Sequence, residues 1–301
     1  MDETTLRTLL GSALDGEPPI GPVADRALRA GIKARRRRVL GVTGSMAVVA
    51  AIAVAVPVVT GPLGAPPAGR QHPAYTSPFT GSANVPPPDA SVLRWRAPAR
   101  DRASIVKITG EARTTCDQSM QGSGFVISSR HVLTNAHVVA GMTSGPDVGY
   151  GVNMRPAKVV LFDPNTDVAI LYVPGLNAPA LRFAGQAGRG SGAVVAGYPE
   201  NGGFRAVPAR VGSQWSANGP NIYQTGTVTR AIYAVRATVQ PGNSGGPLLA
   251  KNGKVYGVIF AASTTTRNTG FALTASAVEA DVQAGVHNTT SVSTQGCPRA
   301  G

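Results

Sequence analysis

Beyond about Ala90 the apolar residues of this 301-residue chain fall into short runs closed by turn residues, and a single segment repeats with the period of a helix. The runs are rich in β-branched residues or alternate in polarity, as half-buried strands do. They predict strands over residues 104–109, 124–127, 132–134, 158–162 and 168–173. Past a glycine-rich stretch at 185–192, further strands are predicted over 193–198, 204–211, 225–228, 234–239, 247–250, 254–261 and 271–274. Residues 275–284, with Val278 and Val282 on one face, predict the helix. The 37 glycines, 24 prolines and a charged fraction of only 14% suit such a turn-rich chain. Twelve short strands parted by one glycine-rich joint predict an all-β fold. The expected architecture is two small β-barrels, at about 100–185 and about 190–285, followed by a C-terminal helix.

Ahead of that domain the sequence changes character. Residues 39–60 are 22 in a row without a charge, enough at about 1.5 Å per residue to cross a bilayer's hydrocarbon core. Lys33, Arg35, Arg36, Arg37 and Arg38 stand just before them. The positive-inside rule then keeps residues 1–38 in the cytoplasm as a basic tail and exports the chain beyond residue 60. The expectation is a single-pass protein of the cell membrane with its folded domain outside the cytoplasm. The alternative is a cleaved export signal of twin-arginine type at Arg36-Arg37-Arg38. The length of the apolar run, and Pro66 and Pro67 crowding the cleavage region, weigh against it. Residues 61–90, with 8 prolines and 4 glycines, read as an extended linker, and residues 91–301 as the folded domain.

The net charge is +13, yet no recognition helix, RNP-like aromatic motif or zinc-ligand cluster accompanies it, so no nucleic-acid partner is expected. No metal or cofactor is expected either. Attraction to anionic lipid or cell-wall polymer and a merely solvated basic surface fit the charge equally well. Cys116 and Cys297 are either two unrelated buried thiols or, in an oxidising compartment, a disulfide tying the C-terminal tail to the first barrel.

Chemistry concentrates in three segments. Gln240-Pro241-Gly242-Asn243-Ser244-Gly245-Gly246-Pro247 sets a serine in a glycine-bracketed turn between strands. Such a turn can aim successive N–H groups of residues 242–244, chiefly those of Gly242 and Ser244, at one point beside the hydroxyl. It can equally be an ordinary β-turn. A serine needs a base, and His72, His131, His137 and His287 are the histidines. His72 sits in the linker, and His131 follows Arg130 at a polar turn where exposure is expected. His137 lies where a strand gives way to a helical turn, in Thr134-Asn135-Ala136-His137-Val138-Val139. A carboxylate must orient the imidazole, and Asp167 enters an apolar strand in Thr166-Asp167-Val168-Ala169-Ile170-Leu171, a costly place without a partner. Asp163, before Pro164, reads as a turn opener. The nucleophile elbow G-x-S-x-G also fits residues 242–246, with Asp281 and His287 further along, but that fold needs helices between its strands, which this sequence lacks.

Taken together, TNAHVV, TDVAIL and GNSGGP in this order resemble the three signatures of the trypsin/chymotrypsin-like serine proteases, particularly their HtrA-type bacterial branch. With the anchor and the cysteine pair, the chain is similar to the MarP-like membrane serine proteases of actinobacteria. The resemblance covers about residues 102–282 and implies a chymotrypsin-like all-β fold of two six-stranded β-barrels, with His137, Asp167 and Ser244 as triad and Gly242, Asn243 and Ser244 forming the oxyanion hole. It further implies one disulfide, protein or peptide substrates, and an envelope role under acid or oxidative stress. Thr238 would lie at the base of the specificity pocket, with Ala262 and Gly270 on its walls, and the lack of a carboxylate there predicts a neutral preference. Asn243 replaces the aspartate that pairs with a freed N-terminus in digestive relatives, so activation by N-terminal trimming is not expected.

Overall fold

Strands that read as unbroken apolar runs are buried on both faces, and those runs mark where two sheets meet. The computed structural model describes residues 85–95, 100–112, 118–142 and 144–297. The expected cytoplasmic tail, the transmembrane segment, most of the linker and Cys116 lie outside the described residues. Every described residue belongs to one compact unit within Ala65–Gly301. Among the described residues no helix is long and apolar enough to cross a membrane.

In chain order the elements are β1 (Ile105–Ala112), β2 (Gln118–Ser128), β3 (His131–Thr134), α1 (Ala136–Val139), β4 (Asp147–Tyr150), β5 (Asn153–Pro156), β6 (Lys158–Asp163) and β7 (Val168–Tyr172). The second half comprises β8 (Gly192–Gly197), β9 (Arg205–Pro220), β10 (Thr227–Arg236), β11 (Pro247–Leu249), β12 (Val255–Ala262), β13 (Thr269–Thr274) and α2 (Ala275–Gly285). Its strands form the expected six-stranded closed barrel, β10-β13-β12-β11-β8-β9. The first half is a seven-stranded sheet, β5-β4-β1-β2-β3-β7-β6, and not the six-stranded barrel expected. The extra hairpin, β4–β5, escapes a search for apolar runs because its second strand is Asn-Met-Arg-Pro and largely exposed. Its register runs from Asp147 opposite Pro156 to Tyr150 opposite Asn153. The two edge strands, β5 and β6, are separated in the chain by Ala157 alone, so the sheet curls until its edges meet through the chain itself.

Neighbouring residues on a strand serve different cores, as period-two geometry requires. Val126, Val132, Ala169 and Leu171 pack in a cluster drawn from the first half alone. Val195, Val211, Leu248 and Ile259 do the same for the barrel. Phe125, Leu133 and Val168 turn the other way, joining Val194, Ala196, Leu249 and Phe260 in a cluster that both halves share.

Two predicted strands, 225–228 and 234–239, are one strand, β10. The gap between them holds Arg230, which the fold buries, its guanidinium donating to the Asn165 and Pro220 carbonyls at 2.6 and 3.3 Å. His131, expected to be exposed, is buried against Tyr172. Its ring hydrogen-bonds the Ser128 hydroxyl through Nδ1 at 2.8 Å and the Asn288 carbonyl through Nε2 at 2.7 Å, so it fastens the end of α2 to the first sheet. Beyond α2 the tail runs back over the first sheet. The Val292 N–H donates to the Val159 carbonyl at 2.8 Å, Thr294 bonds the turn after α1 through Gly141 and Met142, and Cys297 is disulfide-bonded. At the other end Val85 is buried, and Arg236 and Arg210 donate to the Val85 and Pro87 carbonyls at 2.5 and 3.1 Å.

α2 starts at Thr274, whose hydroxyl accepts the Ala277 N–H at 3.1 Å, an N-cap. Farther along, burial pushes the Asp281 carboxyl from its ordinary 3.8 up to about 6, the nearby Asp163 carboxylate adds to the rise, and a hydrogen bond from Thr166 opposes it. The folded protein therefore holds this proton more tightly than the unfolded chain does. Asp281 favours the fold fully below its ordinary 3.8, and the contribution is lost as pH rises through about 6. Asp281→Asn is expected to raise the urea midpoint at pH 7 and to flatten its decline between about pH 4 and 7. An unchanged pH profile would count against this account of the helix.

Candidate active site

β3 ends at Thr134, Asn135 stands in the extended region at the N-cap of α1, and His137 lies in its first turn. Facing it, Asp167 sits in left-handed backbone, φ 65°, at the entrance to β7. Left-handed backbone is uncommon outside glycine, although Asp and Asn adopt it most readily. Here it is held in place. The Asn135 side-chain amide donates to the Asp167 carbonyl at 2.9 Å, and the His137 N–H donates to Asp167 Oδ1 at 3.0 Å. The other carboxylate oxygen, Oδ2, lies 2.8 Å from His137 Nδ1. Asp167 is 2% exposed and His137 6%, so the pair is sealed from bulk water. An aspartate at Nδ1 places the proton there and leaves Nε2 as the basic nitrogen.

Ser244 is 9% exposed, in the turn between β10 and β11. Gly242 and Gly245 take φ 91° and 82°, backbone that a side chain would strain. Four consecutive carbonyls of this turn are bonded. That of Pro241 accepts the Glu200 N–H at 2.7 Å, and that of Gly242 the Ser123 hydroxyl at 2.6 Å. That of Asn243 accepts the Gly246 N–H at 2.9 Å, and that of Ser244 the Ser123 N–H at 2.8 Å. A peptide plane is rigid, with N–H opposite C=O. Fixing the Pro241 and Asn243 carbonyls therefore fixes the direction of the Gly242 and Ser244 N–H groups. Among the described residues neither of those two amides donates to a protein acceptor. The third expected donor differs: the Asn243 N–H is turned inward to the Gln240 carbonyl at 3.0 Å, while its side chain accepts the Gln240 N–H at 2.9 Å.

Gly122 shows how closely the serine turn approaches α1. A Cβ on Gly122 would lie 2.6 Å from Val138 Cγ1 and 3.1 Å from the Ser244 carbonyl oxygen. The residue after His137 and the main chain of Ser244 thus meet across a single glycine of β2.

Other supporting residues escaped the sequence reading. The β9–β10 loop reaches over to the first sheet, where the Ile222 N–H donates to the Pro164 carbonyl at 3.2 Å and Ile222 packs with Ala136 and Ala140 around α1. Arg230, whose guanidinium burial pushes down to about 10, stays charged at neutral pH and holds the Asn165 carbonyl two residues before Asp167. An arginine set between two segments that read as strands was the available signal. Asp163 caps the same turn, accepting the Asn165 N–H and the Thr166 hydroxyl at 2.7 Å each, as its place before proline suggested. Of the residues expected around the specificity pocket, Thr238 is exposed, with its hydroxyl 3.3 Å from Asn268 Oδ1. Gly270 lies opposite Ala262 in the β12–β13 ladder, and a Cβ on Gly270 would lie 2.5 Å from Val239 Cγ2. Val239, not Thr238, therefore stands against Gly270. No group of three or more His, Cys, Asp or Glu side chains among the described residues could hold a metal ion.

Residues 122–258 match the family model of the trypsin-like peptidase domain. Serine protease Rv3671c of Mycobacterium tuberculosis is 43% identical over 210 residues, which are 68% of this chain and 52% of that protein. The chain thus spans about half the length of that curated relative. The crystal structure of the Rv3671c protease in its active form aligns with a TM-score of 0.69 at 42% identity, covering 75% of this chain and all of that one. The HtrA-type protease AlgW with tripeptide aligns at 0.51 and 27% identity, covering 64% of each chain.

Asn fills the volume of Asp and tolerates left-handed backbone, so Asp167→Asn isolates the role of the charge. The variant is expected to fold normally and to react with a fluorophosphonate at Ser244 about 10⁴-fold more slowly, because the imidazole loses its anionic acceptor and its tautomer. Unchanged labelling kinetics would show that the pair does not serve Ser244.

Proposed function

Because the chain belongs to the trypsin-like peptidase family, in its HtrA-type branch, we propose that it is a serine endopeptidase that hydrolyses protein substrates through His137, Asp167 and Ser244. The observation that carries this reading is the sealed His137–Asp167 pair beside a serine turn whose Gly242 and Ser244 amides are oriented and unspent. In this reading His137 Nε2 takes the Ser244 proton as Oγ attacks the scissile carbonyl. Negative charge then develops on the carbonyl oxygen, and the Gly242 and Ser244 N–H groups receive it without reorganising. His137, held as imidazolium beside Asp167, protonates the leaving amine, and water repeats the sequence on the acyl-enzyme.

Location is the second part of the proposal. The uncharged run 39–60, with Arg35 to Arg38 ahead of it, supports a single membrane anchor and a domain facing away from the cytoplasm. Cys297 is disulfide-bonded and Cys116 is the other cysteine in the sequence, which supports a Cys116–Cys297 bond and an oxidising compartment. A role in envelope stress rests on the resemblance to MarP-like proteases.

Substrate preference is inferred from the packing of Val239 on Gly270, which supports a shallow, uncharged pocket beside Ala262. Profiling with a peptide library is expected to give cleavage after small-to-medium neutral residues, and strict cleavage after Arg or Lys would contradict it. Ser244→Ala is expected to keep the parent melting temperature while losing both peptide hydrolysis and fluorophosphonate labelling. Hydrolysis retained by the purified variant would remove the triad from consideration.

A further inference from the structure

Ser123 lies in β2, in the first sheet, outside every motif that drew attention to the site. It is fully buried, and all its polar groups are engaged. Its hydroxyl accepts the Tyr198 N–H at 2.8 Å and donates to the Gly242 carbonyl at 2.6 Å. Its own N–H donates to the Ser244 carbonyl at 2.8 Å, and its carbonyl accepts the Thr134 hydroxyl at 2.8 Å. One residue therefore bonds the main chain on either side of Asn243 and also joins the turn to Tyr198, at the start of the loop whose Glu200 N–H fixes the Pro241 carbonyl. The space around it is shaped to this purpose: a Cβ on Gly197 would lie 2.5 Å from Ser123 Oγ, and one on Gly246 would lie 3.4 Å from Ser123 Cβ.

We propose that Ser123 is a positioning residue for the oxyanion turn, acting through Gly242 and Ser244 and not on substrate. The inference rests on the triad reading above. The reason is geometric. With the hydroxyl gone, the Gly242 carbonyl and the Tyr198 N–H are both left in a buried place without their partner, which drives the Gly242–Asn243 plane to rotate toward another donor. That rotation pulls against the Asn243 N–H bond to the Gln240 carbonyl and changes the torsions on both sides of the plane, so the Pro241 and Asn243 carbonyls shift from their partners and the Gly242 and Ser244 amides lose their common aim. Gly242 offers little resistance, because it lacks the side chain that would hinder such a turn.

The test compares the parent, Ser123→Ala and Ser123→Cys in the full-length protein. Active sites are counted by fluorophosphonate titration and hydrolysis is measured with one peptide substrate. In Ser123→Ala, kcat per titrated site is expected to fall by about 10- to 100-fold with KM within about threefold, since one misplaced oxyanion donor typically costs about 10²-fold or more. A peptide boronic acid, whose tetrahedral adduct needs the same amides, is expected to lose affinity in parallel. The pH profile of kcat/KM, which reports the histidine, is expected to keep its shape. Ser123→Cys, with a weaker donor of similar shape, is expected to fall between the two, and it carries the comparison should Ser123→Ala fail to fold. A variant with a lowered melting temperature but parental kcat per site and parental boronate affinity would overturn the positioning role and leave the triad standing. A parent that does not label at Ser244 would overturn the triad reading and this inference with it.

Discussion

A carboxylate withdrawn from water is tolerable only when its oxygens are bonded, and Asp167 meets that condition through one neighbour. The His137 N–H and the His137 ring bond the two oxygens separately, so carboxylate and imidazole fix each other's orientation. Breaking either bond would leave charge buried without a partner. The arrangement requires Asp167 to adopt left-handed backbone and requires α1 to begin close to β7, and both conditions depend on surrounding structure. Asn135 bonds the Asp167 carbonyl, Arg230 bonds Asn165, and Ile222 packs on α1. The last two come from the barrel half. The His137–Asp167 pair built by the first sheet is thus braced from behind by the other half of the domain.

The converse holds for the serine. Ser244 and its amides belong to the barrel, yet two of the four bonded carbonyls in that turn are held by Ser123 of the first sheet. Each half therefore sets the geometry of the other's candidate site residues. The shared apolar cluster, with Phe125 and Leu133 against Val194 and Leu249, supplies the area that keeps the halves together, at about 1.5–3 kcal/mol for each fully buried large side chain. Polar bonds across the seam do something different. They contribute little net stability one by one, but they select one register of the two halves among the many that apolar packing alone would tolerate.

The sequence revealed the parts whose physics is local. Apolar runs located most strands and the C-terminal helix, because burial on one or both faces writes a period into the chain. The three motif segments stood out because a buried aspartate, a histidine at a strand end and a glycine-bracketed serine are each costly or unusual. The features that stayed hidden depend on tertiary contact. β5 carries no apolar alternation because it lies at an exposed edge. The burial of Arg230 depends on Asn165 and Pro220, which other strands and loops supply. His131 comes after an exposed arginine at a turn, and only the returning tail explains its burial.

Ser123 is the sharpest case, because its work is done on main-chain carbonyls that every sequence contains. Yet the surroundings left a trace. Gly122, Gly197 and Gly245 are far apart in the chain, and in each a side chain would collide with Ser123 or with a neighbour of His137. Read singly, each suggests a turn or a flexible point. Read as places where two backbones must come within contact, they outline a volume with a buried serine at its centre. The serine turn needs that volume because orientation of amide dipoles is a property of packed backbone, and packed backbone requires residues that take up no room.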